Sequence, residues 1–274
     1  MRRRSSPSLS SESSASLVPR VRKAVATLFI SDLHIDASRP LIVGQFLSFL
    51  QSEAKSAEAL YILGDLFESW IGDDAPDPAQ SAAIAGLRTL TLSGVPCFVM
   101  HGNRDFLLSR QFCEMSGAQL LPDPLIVTLH GEAVLVMHGD ALCTDDRAYQ
   151  RLRATVRDAD WQRQFLALSV AARRALAGAA RAGSQAHTAA MEHAITDVNA
   201  DSVATALRAA GTYTLLHGHT HRPAIHALEV DGRPRTRIVL GDWYDQGSVL
   251  RWDQGGPELQ SLPRHGVPSA GGPE

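Results

Sequence analysis

Little in this chain points to covalent stapling. Its 274 residues hold three cysteines, Cys97, Cys113 and Cys143, widely spaced and with no C-x-x-C pair. That argues against a disulfide framework or a zinc ribbon and suits buried thiols in a reducing compartment. Aromatic residues are scarce, at 6%, too few for a base-stacking platform. The formal net charge of -3 excludes a generally basic nucleic-acid binder. The longest apolar runs, such as Ala24 to Ile30, fall well short of the ~20 residues that span a bilayer as a helix. What remains, 45% hydrophobic and 20% charged, is the composition of an ordinary globular protein able to bury a large core without staples.

Charge is spread unevenly. Residues 147 to 181 contain eight arginines against Asp158 and Asp160, a basic stretch on an acidic protein that suits an anionic ligand or membrane surface. Residues 1–23 stand apart, with eight serines, several arginines and one acid, Glu12. They lack the apolar core of a secretory signal and read as a disordered extension, with a transit peptide as the alternative. The Gly- and Pro-rich end, 254–274, reads as a flexible tail. Residues 24–253 are expected to form the folded domain.

Within that span a pattern recurs. Short apolar runs stop at polar residues: Val25–Ser31 at Asp32, Ala59–Leu63 at Gly64-Asp65, Pro96–His101 at Gly102-Asn103, Ala133–Met137 at His138-Gly139, Tyr213–Leu216 at His217-Gly218-His219, and Arg237–Leu240 at Gly241-Asp242. These read as buried strands. Helical spacing covers Leu41–Ala54, Ala79–Leu92 and Phe106–Met115. Alternating strands and helices define an α/β class. Residues from about 146 to 210 break the alternation with Ala- and Arg-rich amphipathic helices. They are expected to form an inserted cap over the strand ends, a plain helical layer on the sheet being the alternative.

Each run delivers polar residues at its C-terminal end, where ligands bind in open α/β sheets. The donors so delivered are Asp32, His34, Asp65, Asn103, His138, His219 and His221. They offer oxygen and nitrogen but no thiolate, a mixture for Mn, Fe, Zn or Co. Seven donors exceed what one catalytic ion needs and suit two ions, Asp65 being the bridging choice. Any one piece alone is weak, since D-x-H or Gly-Asp is usually a turn; their ordered conjunction carries the reading. Asp105 is expected to orient a histidine from outside the ligand set. Glu68, Asp73 and Asp74 are read as loop acids or supports for ligands, Asp140 and Asp145 as turn organisers, and His101 and His217 as strand-end residues.

The ordered set D-x-H, G-D, G-N-x-D, a later His and G-H-x-H resembles the calcineurin-like metallophosphoesterase superfamily over about Val25 to Trp252. The resemblance implies a four-layer αββα sandwich with two metals at one edge and hydrolysis of a phosphoester or phosphoanhydride. Many members carry His after the Asn; here Arg104 stands there. Arginine is a phosphate clamp but a poor proton donor, which favours an anhydride, whose phosphate leaving group needs no proton. The longer stretches Leu60–Asp74, His101–Leu108, Met137–Asp146 and His217–Pro223 resemble the UDP-2,3-diacylglucosamine pyrophosphatases of lipid A synthesis. That resemblance implies cleavage of UDP-2,3-diacylglucosamine to UMP and 2,3-diacylglucosamine 1-phosphate (lipid X) by a water activated by two Mn2+ ions. It implies a peripheral protein at the cytoplasmic face of the inner membrane, with no nucleic-acid or obligate protein partner.

By position, Asp32, His34, Asp65 and His221 would hold one metal, and Asp65, Asn103, His138 and His219 the other. Asp65, Asn103, Arg104 and His219 would be catalytic. Asn103, Arg104, Asp146, Ser184, Thr188 and His219 would contact substrate. Met191 departs from the pattern, where a basic residue is expected; Arg181 or His187 would then substitute. The alternatives are a soluble UDP-sugar or dinucleotide pyrophosphatase or phosphodiesterase, and a non-catalytic scaffold of the same fold.

Overall fold

The computed structural model describes residues 25–190, 197–244 and 246–262. The expectations for residues 1–23 and for the chain beyond 262 fall outside that set. In chain order the strands are β1 (Thr27–Ile30), β2 (Ala59–Ile62), β3 (Cys97–Met100), β4 (Gln119–Leu121), β5 (Leu125–Leu129), β6 (Glu132–Met137), β7 (Thr214–His217), β8 (Ala224–Val230), β9 (Arg233–Val239), β10 (Gly247–Asp253) and β11 (Gly256–Leu262). The helices are α1 (Pro40–Gln51), α2 (Pro78–Leu92), α3 (Arg110–Ser116), α4 (Arg147–Val156), α5 (Ala159–Leu166), α6 (Val170–Ala190) and α7 (Ala200–Ala210).

The strands make two mixed sheets, ordered β11-β10-β1-β2-β3-β4 and β5-β6-β7-β9-β8. Strands β1, β2 and β3, central in the first sheet, are almost wholly apolar because both their faces are covered. Leu28 and Ile30 of β1 face the helical side with Phe46, Phe49, Leu87 and Phe112. Phe29, between them, faces the second sheet with Val136, Leu216 and Ile238. On the far side of the second sheet, Val203 and Leu207 of α7 lie against Leu135, Met137 and Leu215. The layers are therefore α1–α3, sheet, sheet and α7. Burying each such side chain contributes roughly 1.5–3 kcal/mol, and three separate apolar layers lock the two sheets in one relative position.

Local chemistry sets the helix starts. Asp77 and Gln80 form a reciprocal capping box with Pro78 at the first turn of α2. Helix α3 begins at Arg110 rather than Phe106. Its first turn is held by a distant carboxylate: Asp73 accepts from Ser109 N at 3.2 Å and Phe112 N at 2.8 Å. Residues 105–108 form a turn instead, Leu108 N donating to the Asp105 carbonyl at 3.1 Å.

The structure corrects two expectations. Residues 254–274 are not all tail: Gly256–Leu262 is an edge strand paired antiparallel with β10 from Gly247↔Leu262 to Asp253↔Gly256. Its Gly and Pro content obscured an alternation that sends Leu259 and Leu262 toward the two cores. The region 146–210 is not all cap either. Helices α4–α6 surround a cavity above the strand ends, whereas α7 is the plain outer layer of the second sheet. Truncation after Asp253 should therefore lower stability by at least about 2 kcal/mol, from two leucines lost from the cores. An unchanged thermal midpoint would show that this strand contributes nothing.

Candidate metal centre

The ligand candidates sit on loops that leave β1, β2, β3, β6 and β7, at one edge shared by both sheets. Asp32, His34, Asp65, His219 and His221 all adopt positive φ, between 50° and 68°. For residues with a Cβ this left-handed region costs energy and persists where the surroundings enforce it. Here the loops are laced together by the backbone. Asp32 N donates to Gly64 O at 3.1 Å, His34 N to Asp65 O at 3.0 Å and Gly218 N to His138 O at 2.9 Å. Gly102 has no alternative: a Cβ there would fall inside the carboxylate of Asp65.

Two three-residue clusters result, Asp32 with His34 and His221, and Asp65 with His138 and His219, their ligand atoms within 4.8 Å of one another in each. Asp65 reaches both. Its Oδ2 lies 3.8 Å from His34 Nε2, and its Oδ1 lies 3.9 Å from His138 Nε2. Asn103 completes the second cluster, with Oδ1 at 2.9 Å from both His138 Nε2 and His219 Nδ1. The structure thus brings together all seven residues that the motifs single out.

The outer ring nitrogens decide what the inner ones present. His138 Nδ1 donates to Leu63 O at 2.9 Å. His34 Nδ1 faces Glu68 Oε2 at 2.9 Å, and His221 Nδ1 faces Asp242 Oδ2 at 3.0 Å. With Nδ1 carrying the proton, each neutral ring turns an Nε2 lone pair inward. His34 Nε2 and His221 Nε2 then face each other at 3.3 Å, beside Asp32 Oδ1, itself 3.3 Å from His221 Nε2. Lone pairs set against lone pairs repel unless a proton or a cation lies among them, and this nitrogen and oxygen donor set fits a pair of divalent ions.

Electrostatics of the bare protein agree. Burial opposes charge on His221, but Asp32 and Asp242 outweigh it and raise its pKa to about 10. Burial likewise opposes charge on His138, outweighed by Asp65, Asp140 and Asp32, raising it to about 9. Burial lowers His219 to about 4, helped by the His138 charge, and lowers His34 to about 4 against the pull of Asp65 and Asp32. Burial would raise Asp32, yet His221, His138 and His34 hold it below the usual carboxylate range. Protons on two imidazoles stand in for cations, and ions that bind there displace them.

Other expected roles divide. Glu68 supports a ligand, and it is also ion-paired with Arg181. Asp105 does not orient a histidine: it accepts from Leu66 N, Phe67 N and Gly102 N, tying the second and third loops together. Asp73 and Asp74 are structural, the latter paired with Arg173 of α6. Asp140 accepts from Tyr149 Oη at 2.6 Å and Arg153 Nε at 2.8 Å, and Asp145 from Asn199 Nδ2. His217 bonds the adjacent Gly218 O and joins neither cluster. Asp146 caps α4 by accepting from Tyr149 N at 2.9 Å and does not line the cavity. Ser184, His187 and Thr188 fall in α6, but their side chains, like Met191, lie outside the described residues. Asp242 was not picked out as a site residue: it follows a strand run as Gly241-Asp242, but that dipeptide has no motif of its own. Tyr149 and Tyr244 are also new, their rings 6.0 Å from His219 and 5.4 Å from His34.

A cavity of about 560 Å³ opens from Asn103 and Arg104 into the space under α4–α6, lined by Leu152, Trp161, Phe165, Leu168 and Leu176 among others. Among the described residues no helix is long and apolar enough to cross a membrane.

Comparison with known proteins places this geometry. Residues 26–223 match the calcineurin-like phosphoesterase family. The chain is 52% identical over 247 residues to a Stenotrophomonas maltophilia (strain K279a) protein named UDP-2,3-diacylglucosamine hydrolase, covering 88% of this chain and 100% of that one. A protein of the same name from Xanthomonas axonopodis pv. citri (strain 306) is 51% identical over 245 residues, covering 87% and 99% respectively.

If Asp242 fixes the His221 ring, Asp242→Asn should weaken divalent-ion binding roughly 10–100-fold, read by titration with Mn2+. Unchanged affinity would remove Asp242 from the support of the centre.

Proposed function

The chain belongs to the calcineurin-like phosphoesterase family, and on that premise we propose that it hydrolyses the pyrophosphate bond of UDP-2,3-diacylglucosamine, yielding UMP and 2,3-diacylglucosamine 1-phosphate in lipid A synthesis. The observation that carries this reading is the junction of two chemistries: a buried donor set for two cations opens straight into an apolar cavity. A soluble nucleotide sugar has no use for such a cavity, whereas a diacylated one does.

Asp32, His34, Asp65 and His221 would hold one ion and Asp65, Asn103, His138 and His219 the other. Mn2+ is our choice for this mixed nitrogen and oxygen set. Two such ions would supply Lewis acidity and a water of lowered pKa. The remaining work falls to the chain. Arg104 N donates to Asp65 Oδ1 at 2.8 Å, so the loop that presents the guanidinium is tied to the carboxylate that would serve both ions. That guanidinium lines the cavity mouth, where a permanently charged planar donor grips phosphoryl oxygens and steadies the charge that develops on them. No side chain need protonate the departing phosphate, since its last pKa is near ~6. Tyr149, held by Asp140, covers His219 from the cavity side.

Helices α4–α6 accept the acyl chains in this reading. Arg157 fastens them to the catalytic loops by donating to Gly102 O at 2.9 Å, and Arg173 does so by donating to Ile71 O at 2.6 Å. Asp146 acts by starting α4 where Tyr149 can reach the centre. Ser184 and Thr188 are assigned to the substrate by the motif resemblance. The protein would work as a peripheral protein at the cytoplasmic face of the inner membrane, because its substrate is a lipid and the cap exposes Leu152, Leu166, Leu168 and Leu176 among arginines.

Incubation with UDP-2,3-diacylglucosamine and Mn2+ should release UMP and the lipid 1-phosphate, read by mass spectrometry; UDP-glucose and bis-nucleotides should be poor substrates. Equal turnover of UDP-glucose would replace this reading with that of a soluble pyrophosphatase. Asp65→Ala should abolish turnover with the fold retained by circular dichroism, and Arg104→Ala should lower it by roughly 10²–10³-fold with metal content unchanged. Phe165→Asp, which places a charge in the cavity, should raise KM for the diacyl substrate roughly tenfold or more while leaving slow hydrolysis of UDP-glucose intact. Parallel losses on both substrates would deny the cavity its acyl chains.

A further inference from the structure

The diphosphate has two ends, and the apolar cavity accounts for one. On another flank of the centre stands a pair of residues that does not line that cavity. Tyr244 is 37% exposed and lies against both histidines of the first cluster, stacked on His34 at 5.4 Å and edge-on to His221 at 5.4 Å. The guanidinium of Arg39 lies over the Tyr244 ring at 4.3 Å. Its Nη1 is buried with no hydrogen-bond partner among the described residues.

The pair is positioned by the core rather than by chance. The Trp243 ring is fully buried against Phe46 and Phe49 of α1, and its backbone N–H donates to the Asp32 carbonyl at 3.2 Å. Arg39 is the residue that starts α1, its carbonyl accepting from Ile42 N at 3.1 Å. One packing contact therefore fixes the helix that carries Arg39, the loop that carries Tyr244 and the loop that carries Asp32. A buried donor left without an acceptor costs stability, and a cation held flat on an aromatic ring keeps its edge donors available.

Resting on the function proposed above, we infer that Arg39, braced on Tyr244, binds the nucleotide half of the substrate, a nucleoside 5′-monophosphate unit, and is a specificity determinant for it. The acyl half occupies the cavity beyond Asn103 and Arg104, the diphosphate lies across the two clusters, and the nucleotide leaves the centre over Tyr244. The Arg39 guanidinium then donates to oxygens of the nucleotide.

The two products separate the two halves. UMP and 2,3-diacylglucosamine 1-phosphate are titrated calorimetrically into Mn2+-loaded wild-type protein and the Arg39→Ala, Arg39→Lys and Tyr244→Leu variants, with metal content measured for each. Arg39→Ala should weaken UMP roughly tenfold, the worth of one charge-assisted hydrogen bond, with the lipid product and the metal content unchanged. Arg39→Lys should recover part of the loss, and Tyr244→Leu should reproduce it in part. Unchanged UMP binding in Arg39→Ala, or equal weakening of both products, overturns the inference. Should Arg39→Ala fail to fold, Arg39→Lys alone decides by the same comparison. Absence of turnover of UDP-2,3-diacylglucosamine by the wild type would overturn the proposed function instead, and the UMP titration still judges Arg39.

Discussion

Two carboxylates and four imidazoles are gathered in a mostly buried space with ligand atoms facing one another, and the rest of this molecule can be understood as what it takes to hold them there. The arrangement repels itself. Asp65 sits within 4 Å of a ring from each cluster, and His34 and His221 approach each other through their inner nitrogens at 3.3 Å. Without ions, protons on His138 and His221 balance the charge. With ions, the same atoms become ligands. Either way positive charge must enter, so the fold has built a cation site before any cation arrives.

Holding such a set requires a scaffold that cannot relax, and the layers supply it. Five ligand residues occupy the left-handed backbone region, at a cost of order 1–3 kcal/mol each. Two sheets with three apolar layers between and around them offset that cost. The strand ends meet at one edge because β1, β2 and β3 run parallel in one sheet and β6 and β7 run parallel in the other. Asp105 then sews the second loop to the third through three backbone donors. A carboxylate that burial, and the neighbouring Asp65 charge, raise to about 6 is tolerated there because those N–H groups satisfy it.

How much of this was legible in the sequence follows from the range of each signal. The ligands were legible because each lies in a short polar motif that closes an apolar run, and Asp65, Asn103, His138 and His219 also stand beside a glycine. Strands β4, β5, β8, β10 and β11 carry no such signal: β4 is only three residues long, β8 alternates along an edge and reads as mixed polarity, and β11 carries Gly and Pro. Helix α7 has the same amphipathic spacing as the cap helices, and only three-dimensional contact with Leu135 and Leu215 separates it from them. Asp242 and Glu68 act on ligands distant in the chain, so no spacing rule announces their role. Asp105 was assigned a histidine as partner, when the backbone of a loop about forty residues earlier was the stronger claimant.

The basic stretch offers a sharper lesson about reading charge from sequence. Summed along the chain, residues 147–181 suggest a field aimed at an anionic ligand. In the folded protein several of those arginines are already engaged. Arg153 neutralises Asp140, Arg173 neutralises Asp74, Arg181 neutralises Glu68 and Arg163 pairs with Asp160. Three of these partners lie outside the stretch, on the catalytic scaffold itself. Much of the apparent excess is therefore internal glue, fastening an inserted helical cap to the loops that carry the donor set. Arg181 makes the point most directly, since its partner Glu68 is also the carboxylate facing His34. Cap position and ligand orientation are thus coupled through one side chain.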